Sequence, residues 1–194
     1  MGRKKQFSDS NALSAASMIF WKKGYTNTTL KDLLEGMEIK NGTFYNSYVD
    51  KKNLFIEAMK NYEQNFSEQR MLLFKRSASF KVNIRAFFRH IFDRQEEAIC
   101  PKGCFLFNSV SYDISDDIEI FKIIRQGIAH FEDFLDCEIK KSVLSGELAA
   151  MLDSKLTAAI LVTHVQGAMK LSAFDYDNLH FRAQTDALLK ALGI

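Results

Sequence analysis

The sequence predicts an all-α chain of about nine helices, and three observations lead there. Pro101 is the only proline and there are nine glycines in 194 residues, so little interrupts a helical hydrogen-bond ladder, whereas an all-β chain of this length needs many turn residues. Apolar residues recur at three- and four-residue spacing through most of the chain. Hydrophobic residues make up 47% and charged residues 26%, so no long stretch is polar enough to stay unfolded. A chain this long accommodates a small domain of about 50–60 residues beside a larger one. The division is placed at residues 1–50 and 51–194, with 51–76 as the connecting helix.

The first helix is expected from about Ser8 to Lys23, capped by Ser8 or Asp9 and stopped by Gly24. Leu13, Ala16, Ile19 and Phe20 form its apolar face. Tyr25 to Thr29 is a short connection in which Thr28 or Thr29 caps a second helix carrying Leu30, Leu33 and Leu34 and ending near Met37. A third short helix runs from Lys40 to Tyr48. Two short helices joined by a tight turn are the signature of a helix-turn-helix.

Asp50 then reads as the N-cap of a helix from Lys51 to about Lys75, with Leu54, Ala58, Tyr62 and Phe66 four residues apart. After a break at Ser77 to Ser79, Val82 to Ile99 carries Ile84, Phe87, Phe88, Ile91 and Phe92 on one side. Pro101 and Gly103 interrupt it. Phe105 to Val110 fits a buried helix or a strand by pattern alone, and the surrounding helices favour helix. Asp116 or Asp117 begins a long helix through Phe121, Ile124, Ile128, Phe131 and Leu135 to about Leu144, closed by Ser145 and Gly146. Helices over about Ser154–Phe174 and Asn178–Leu192 complete the chain.

The formal net charge is only +2, but it is unevenly spread. Residues 1–60 hold ten Lys/Arg against six Asp/Glu, and residues 61–194 hold sixteen against eighteen. Arg3, Lys4 and Lys5 form a basic arm suited to phosphates, although a solvated tail explains the charge equally well. No apolar secretory run opens the sequence, and Gln6 breaks the acylation pattern that Met1-Gly2 suggests. The most apolar segment, Leu156 to Phe174, carries His164, Gln166 and Lys170 and makes a poor membrane span. A cytoplasmic protein without membrane contact is expected, with its three cysteines reduced.

The run from Thr28 to Leu54 resembles the helix-turn-helix of TetR/AcrR-family transcriptional regulators. The likeness extends over about residues 8–60, through Phe20, Gly24-Tyr25, Thr28-Thr29, Gly42-Thr43-Phe44-Tyr45, Lys51 and Leu54. Two later fragments, Gly103 to Leu106 and Gln166 to Met169, are similar to the family more weakly. The sequence departs from the pattern at the turn, where Met37-Glu38 stands in place of Ala-Gly. This implies either another turn conformation or strain of about 1 kcal/mol. Asn46-Ser47 replaces the family's basic or aromatic pair and suggests a different base preference.

The resemblance implies a ligand-responsive, sequence-specific DNA-binding regulator: a homodimeric repressor on a palindromic double-stranded operator, released by a small-molecule effector, with no cofactor or metal. It places Lys40, Asn41, Gly42, Thr43, Tyr45, Asn46 and Ser47 on the recognition helix. Thr28, Thr29, Lys51 and the arm Arg3, Lys4 and Lys5 join them on the DNA side. Asn pairs with adenine edges, Thr offers a methyl to thymine, and Tyr and Lys reach phosphates; Phe44 and Tyr48 read as core. The larger domain is expected to hold the effector among Phe88, Phe92, Cys104, Phe105, Phe107, Asn108, His130, Phe131, Phe134 and His164: most of the 17 phenylalanines must be packing, and a cavity lined by several of them suits an apolar or aromatic ligand. Either histidine also reads as a satisfied core residue. Ala159, Thr163 and Gly167, spaced by four, with Phe174 and Phe181, are expected at the dimer interface.

Cysteine chemistry supplies the alternatives. Cys104 near Lys102, with Cys100 as resolving partner, fits a redox- or electrophile-sensing thiol, or simply a buried inert cysteine. Cys100 and Cys104 with His90 or His130 do not have standard zinc-ligand spacing. A cysteine-dependent enzyme on a helical fold has no supporting motif.

Overall fold

The structure, a computed structural model, describes residues 9–75, 78–96, 101–110, 117–174 and 177–194. Among these residues it is helical without strands: α1 (Asp9–Lys23), α2 (Leu30–Gly36), α3 (Asn41–Tyr48), α4 (Lys51–Tyr62), α5 (Glu68–Met71), α6 (Phe80–Glu96), α7 (Phe105–Asn108), α8 (Ile118–Leu144), α9 (Ser154–Leu171) and α10 (Asn178–Ala191). A π turn at Glu63–Ser67 joins α4 to α5, so the helix expected to run unbroken to Lys75 changes pitch after Tyr62 and stops at Met71. Counted as one rod, α4, the π turn and α5 give the expected nine helices. The Ser8 cap and the Asp116 start lie outside the described residues.

Local chemistry explains the helix ends. Thr29 and Asp32 form a reciprocal capping box at α2. Asp50, Asp117, Asp153 and Asp177 cap α4, α8, α9 and α10 through side-chain bonds to the N3 backbone N–H. At the other ends, α8 and α10 close with Gly146 (φ 79°) and Gly193 (φ 76°). Helix α2 ends in the same hydrogen-bond pattern, Glu38 N–H to Glu35 carbonyl and Ile39 N–H to Leu34 carbonyl. Here the left-handed residue is Glu38, at φ 55°. Of the two expectations for Met37-Glu38, the turn therefore keeps the glycine geometry and carries the strain.

A second strained residue lies between α3 and α4. Val49 has φ 60° and ψ −57°, and the Asp50 N–H reaches back to the Tyr48 carbonyl at 2.5 Å, a γ-turn of the unfavourable positive-φ kind. It turns the chain within one residue and sets the angle between α3 and α4.

Helix α1 packs along α4 with small buried residues, Ala12, Ala16 and Ala58, at the contact. The Ser17 hydroxyl lies 2.8 Å from both the Leu13 and Ala58 carbonyls. Leu33, Phe44 and Tyr48 close this core from α2 and α3. In the rest of the chain α8 packs on α9, and α6 touches α8, α9 and α10. The Glu147 carboxylate, from the α8–α9 connection, accepts the Phe80 and Lys81 backbone N–H groups, both at 2.9 Å, and so caps α6 from outside. Burial works against its charge, yet these bonds hold its pKa below the ordinary value.

Candidate functional site

Helix α3 is anchored by two residues and bare elsewhere. Phe44 and Tyr48 turn inward, four residues apart on one face. Lys40, Asn41, Gly42, Thr43, Tyr45, Asn46 and Ser47 are exposed, and Tyr45 is 52% exposed with its ring edge against Phe44. A Cβ on Gly42 would meet nothing within 4 Å, so packing within the chain does not require glycine there, and its backbone is open to close approach. Thr29 is exposed at the start of α2, its hydroxyl shared with Asp32.

Two DNA-side expectations change. Thr28 is 1% exposed and its hydroxyl donates to the Gly24 carbonyl at 2.6 Å; its side chain braces the turn before α2 and is withdrawn from the surface. Lys51 is partly buried, with Nζ 4.5 Å from the Tyr25 ring centroid and 3.5 Å from the Thr26 carbonyl. Burial pushes its pKa down, while the Tyr25 ring and the Thr26 carbonyl hold its ammonium in place at the start of α4. Arg3, Lys4 and Lys5 lie outside the described residues.

The phenylalanines do not line one cavity. A cavity of about 40 Å³ lies among α6, α7, α8 and α9, lined by Phe87, Ile91, Cys104, Leu106, Gly127, Ile128, Phe131, Val165, Gln166 and Met169. Of the residues expected at the effector site, only Cys104 and Phe131 reach it. Phe88 and Phe92 instead form the floor of a cleft between α6 and α10 with Arg85, Arg89, Arg182, Thr185 and Asp186. Phe134 sets its edge against Phe74, and Phe107 lines a shallow groove with Phe121 and Ile124. Asn108 bonds the Lys102 carbonyl and the Lys170 ammonium.

His130 is exposed, its Nδ1 3.2 Å from Glu63. His164 Nε2 lies 2.8 Å from the Thr185 hydroxyl. That hydroxyl donates to the Phe181 carbonyl, so His164 Nε2 is the donor, and burial lowers its pKa and keeps it neutral. Both histidines are thus engaged away from the cavity. Sequence reasoning missed most of this cavity's lining, although the fragments Gly103–Leu106 and Gln166–Met169 contain four of its residues.

Phe105 is the most consequential displacement. Cys104 and Leu106, on either side of it, line the cavity, while the Phe105 ring is buried against Trp21 of α1 and Phe55 and Tyr62 of α4, at centroid distances of 6.4, 5.8 and 5.5 Å. The Tyr62 hydroxyl in turn lies 3.7 Å from the Cys104 sulfur. Lys52, at the start of α4, pairs with Asp117 and Glu119 at the start of α8. Cys100 lies outside the described residues, so its pairing with Cys104 does too. Among the described residues no group of three or more His, Cys, Asp or Glu could hold a metal, and no helix is long and apolar enough to cross a membrane.

On α9, Thr163 and Gly167 face outward and Gly167 has open space beside it, with Ala159 partly covered. Leu156, Leu171, Phe174 and Leu179 are exposed around them. Phe181 is corrected: it is 4% exposed and stacks on Phe92 at 5.9 Å, so it packs the monomer core.

Comparison with known proteins agrees with this anatomy. The family described as bacterial regulatory proteins, tetR family, matches residues 12–58, and the tetracyclin repressor-like C-terminal domain matches residues 82–188. The uncharacterized HTH-type transcriptional regulator YezE of Bacillus subtilis is 28% identical over 148 residues, 76% of either chain. The HTH-type transcriptional repressor ComR of Escherichia coli is 28% identical over 173 residues, 89% of this chain and 82% of that protein. A solved structure of the TetR-family regulator CifR, a cysteine mutant complexed with 26-bp double-strand operator DNA, superposes with a TM-score of 0.87 at 21% identity, covering 97% of this chain and 99% of that one.

Proposed function

Because this chain belongs to the tetR family of bacterial DNA-binding transcriptional regulators, we propose that it acts as a homodimeric repressor of a palindromic operator and is released by a small effector held in the larger helical part. A relative bearing the name of repressor, ComR, supports the sign of the regulation. The observation that carries the effector reading is α7. Its neighbours Cys104 and Leu106 line the cavity while the Phe105 between them is wedged into the α1–α4 core, so an occupant that shifts α7 also shifts the helices that carry α3. Release follows if the effector binds the shifted state more tightly; moving the equilibrium from 1:99 to 99:1 takes roughly a 10⁴-fold difference in affinity.

The test is binding-site selection followed by titration of the selected duplex. The wild type should bind it at least about a thousandfold more tightly than random sequence, with a steep salt slope. Tyr45→Phe and Lys51→Ala should weaken binding to every sequence, whereas Thr43→Ala and Asn46→Ala should alter base preference. Unchanged affinity and preference in all four would remove α3 from the groove. Assembly is tested with Gly167→Leu. Gly167 is exposed and a Cβ there meets nothing within 4 Å, so the change should leave folding intact and convert a dimer to a monomer in sedimentation; a monomeric wild type at micromolar concentration would end the two-half-site argument.

A second reading is favoured by the Tyr62–Cys104 contact. A thiol that lines the effector cavity and touches the α4 tyrosine is placed for covalent sensing: its thiolate would displace iodide from iodoacetamide and leave a bulky adduct beside Phe105. Alkylation should weaken DNA binding of the wild type and spare Cys104→Ser. Indifference of the wild type to the reagent returns Cys104 to the role of a packed cysteine.

A further inference from the structure

One residue of the cavity lining carries a buried polar atom that none of the described residues satisfies. Gln166 lines it from α9, and its Oε1 is closed off from solvent with no hydrogen-bond partner among the described residues. The other polar side chain of the lining, Cys104, already has the Tyr62 hydroxyl at its sulfur; the remaining eight lining residues are apolar or glycine. Buried carbonyl oxygens are nearly always paired, and one left bare is costly. An ordered water is a poor remedy here, because it needs roughly two to four polar partners and this wall offers one free acceptor. A charged occupant is equally unsuited, since no Lys, Arg, Asp or Glu is in the lining. Glu63 is outside the lining: its Oε1 is held by His130, and its Oε2 comes near Gly127 from behind the wall.

We infer that the cavity takes a small uncharged ligand with an apolar, ring-sized body and a single O–H or N–H group, which donates to Gln166 Oε1. This rests on the effector reading above and names its ligand class. Phe87 and Phe131 offer ring faces and edges for the body, and Met169 supplies an adaptable wall. At about 40 Å³ the space as it stands suits little more than one water, so a ring enters only by moving a wall. The wall that must give way is Leu106, whose Cδ1 lies 2.5 Å from where a Cβ on Gly127 would be. Leu106 adjoins Phe105, so the displacement that admits the ring is the same displacement that pushes on Trp21 and Tyr62.

The experiment is calorimetric titration of the full chain with phenol, anisole and toluene, which share a ring and differ in carrying a donor, an acceptor only, or neither. The wild type should bind phenol about tenfold more tightly than the other two, the worth of one well-made buried hydrogen bond. Gln166→Leu and Gln166→Met should lose that preference, and phenol should weaken wild-type binding to the selected duplex where toluene does not. Anisole or toluene binding as well as phenol, absence of binding by the wild type, or a phenol preference that survives in either folded variant overturns the inference. If both variants fail to fold, the three-ligand comparison on the wild type decides alone. Failure of the regulatory reading looks different: no duplex is bound above random sequence, whatever the cavity holds.

Discussion

Helix α3 and helix α7 are both short, and they treat their polar groups in opposite ways. On α3 the side chains of Lys40, Asn41, Thr43, Asn46 and Ser47 are exposed and make no hydrogen bond to the described residues, which costs nothing because water satisfies them until another molecule does. Around α7 several donors are spent inside the protein: Gly103 N–H on Gln95, Asn108 on Lys102, Ser109 on Phe105, Tyr62 on Cys104. A recognition surface can keep its inventory free because solvent underwrites it. A buried wall cannot, so a single unspent atom such as Gln166 Oε1 carries more information than the whole row on α3.

The contrast is broken most directly by truncating Phe105. With the ring buried between the α1–α4 pair and the cavity wall, Phe105→Ala should lower unfolding free energy by about 3–5 kcal/mol in urea titration, and should weaken DNA binding although the residue is remote from α3. A loss under about 1 kcal/mol would mean that α7 does not couple the two regions.

Glu147→Gln tests a partly buried polar group, and should cost about 1 kcal/mol at pH 7 through the weakened α6 cap. Because the folded state holds the Glu147 pKa below its ordinary value, the wild type's advantage is present above the unfolded pKa of about 4.3 and is lost as pH falls through the folded one. Urea titrations of both proteins should therefore converge in acid; a gap that persists there would assign the cap to something other than the carboxylate's charge.

Glu38→Gly removes the left-handed strain at the end of α2 and should stabilise the chain by up to about 1 kcal/mol, seen as a raised melting temperature. A fall would show that the glutamate side chain compensates for its backbone. The smallest effect is expected on α3 itself, where Tyr45→Phe should change stability by less than about 0.5 kcal/mol while weakening DNA binding. A large stability loss would make Tyr45 a core residue and erase the distinction between the two helices.

Much of this was legible from residue order because it depends on neighbours in sequence. Gly24, Thr29, Asp50 and Asp117 mark helix ends through bonds only a few residues long, and the alternation of inward Phe44 and Tyr48 with outward neighbours follows from helical geometry. The π turn was harder. Leu54, Ala58, Tyr62 and Phe66 recur every four residues, slightly more than a helical repeat, which a helix absorbs either by drifting or by one wide turn. The cavity was least legible, since all the phenylalanines look alike in a sequence and which of them faces the cavity depends on helices far apart in the chain. Phe105 and Phe181 were read toward a ligand and a partner, and both turn into the core. Gln166 stood inside a fragment noticed for its likeness, but its missing partner exists only in three dimensions.

The wedge at α7 also gives the molecule an optical property. Trp21 is its only tryptophan, buried at 5% exposure and stacked near Phe105 with Tyr62 edge-on at 5.1 Å. Indole emission depends on the polarity and packing around the ring, so its colour and intensity should report the seating of α7 without any attached label. Phenol itself absorbs and emits near the same wavelengths, so excitation at the red edge of the indole band is needed to isolate the signal. The same residue that would transmit the presence of a ligand toward the DNA would then announce it to a fluorimeter, in real time and in the unmodified protein.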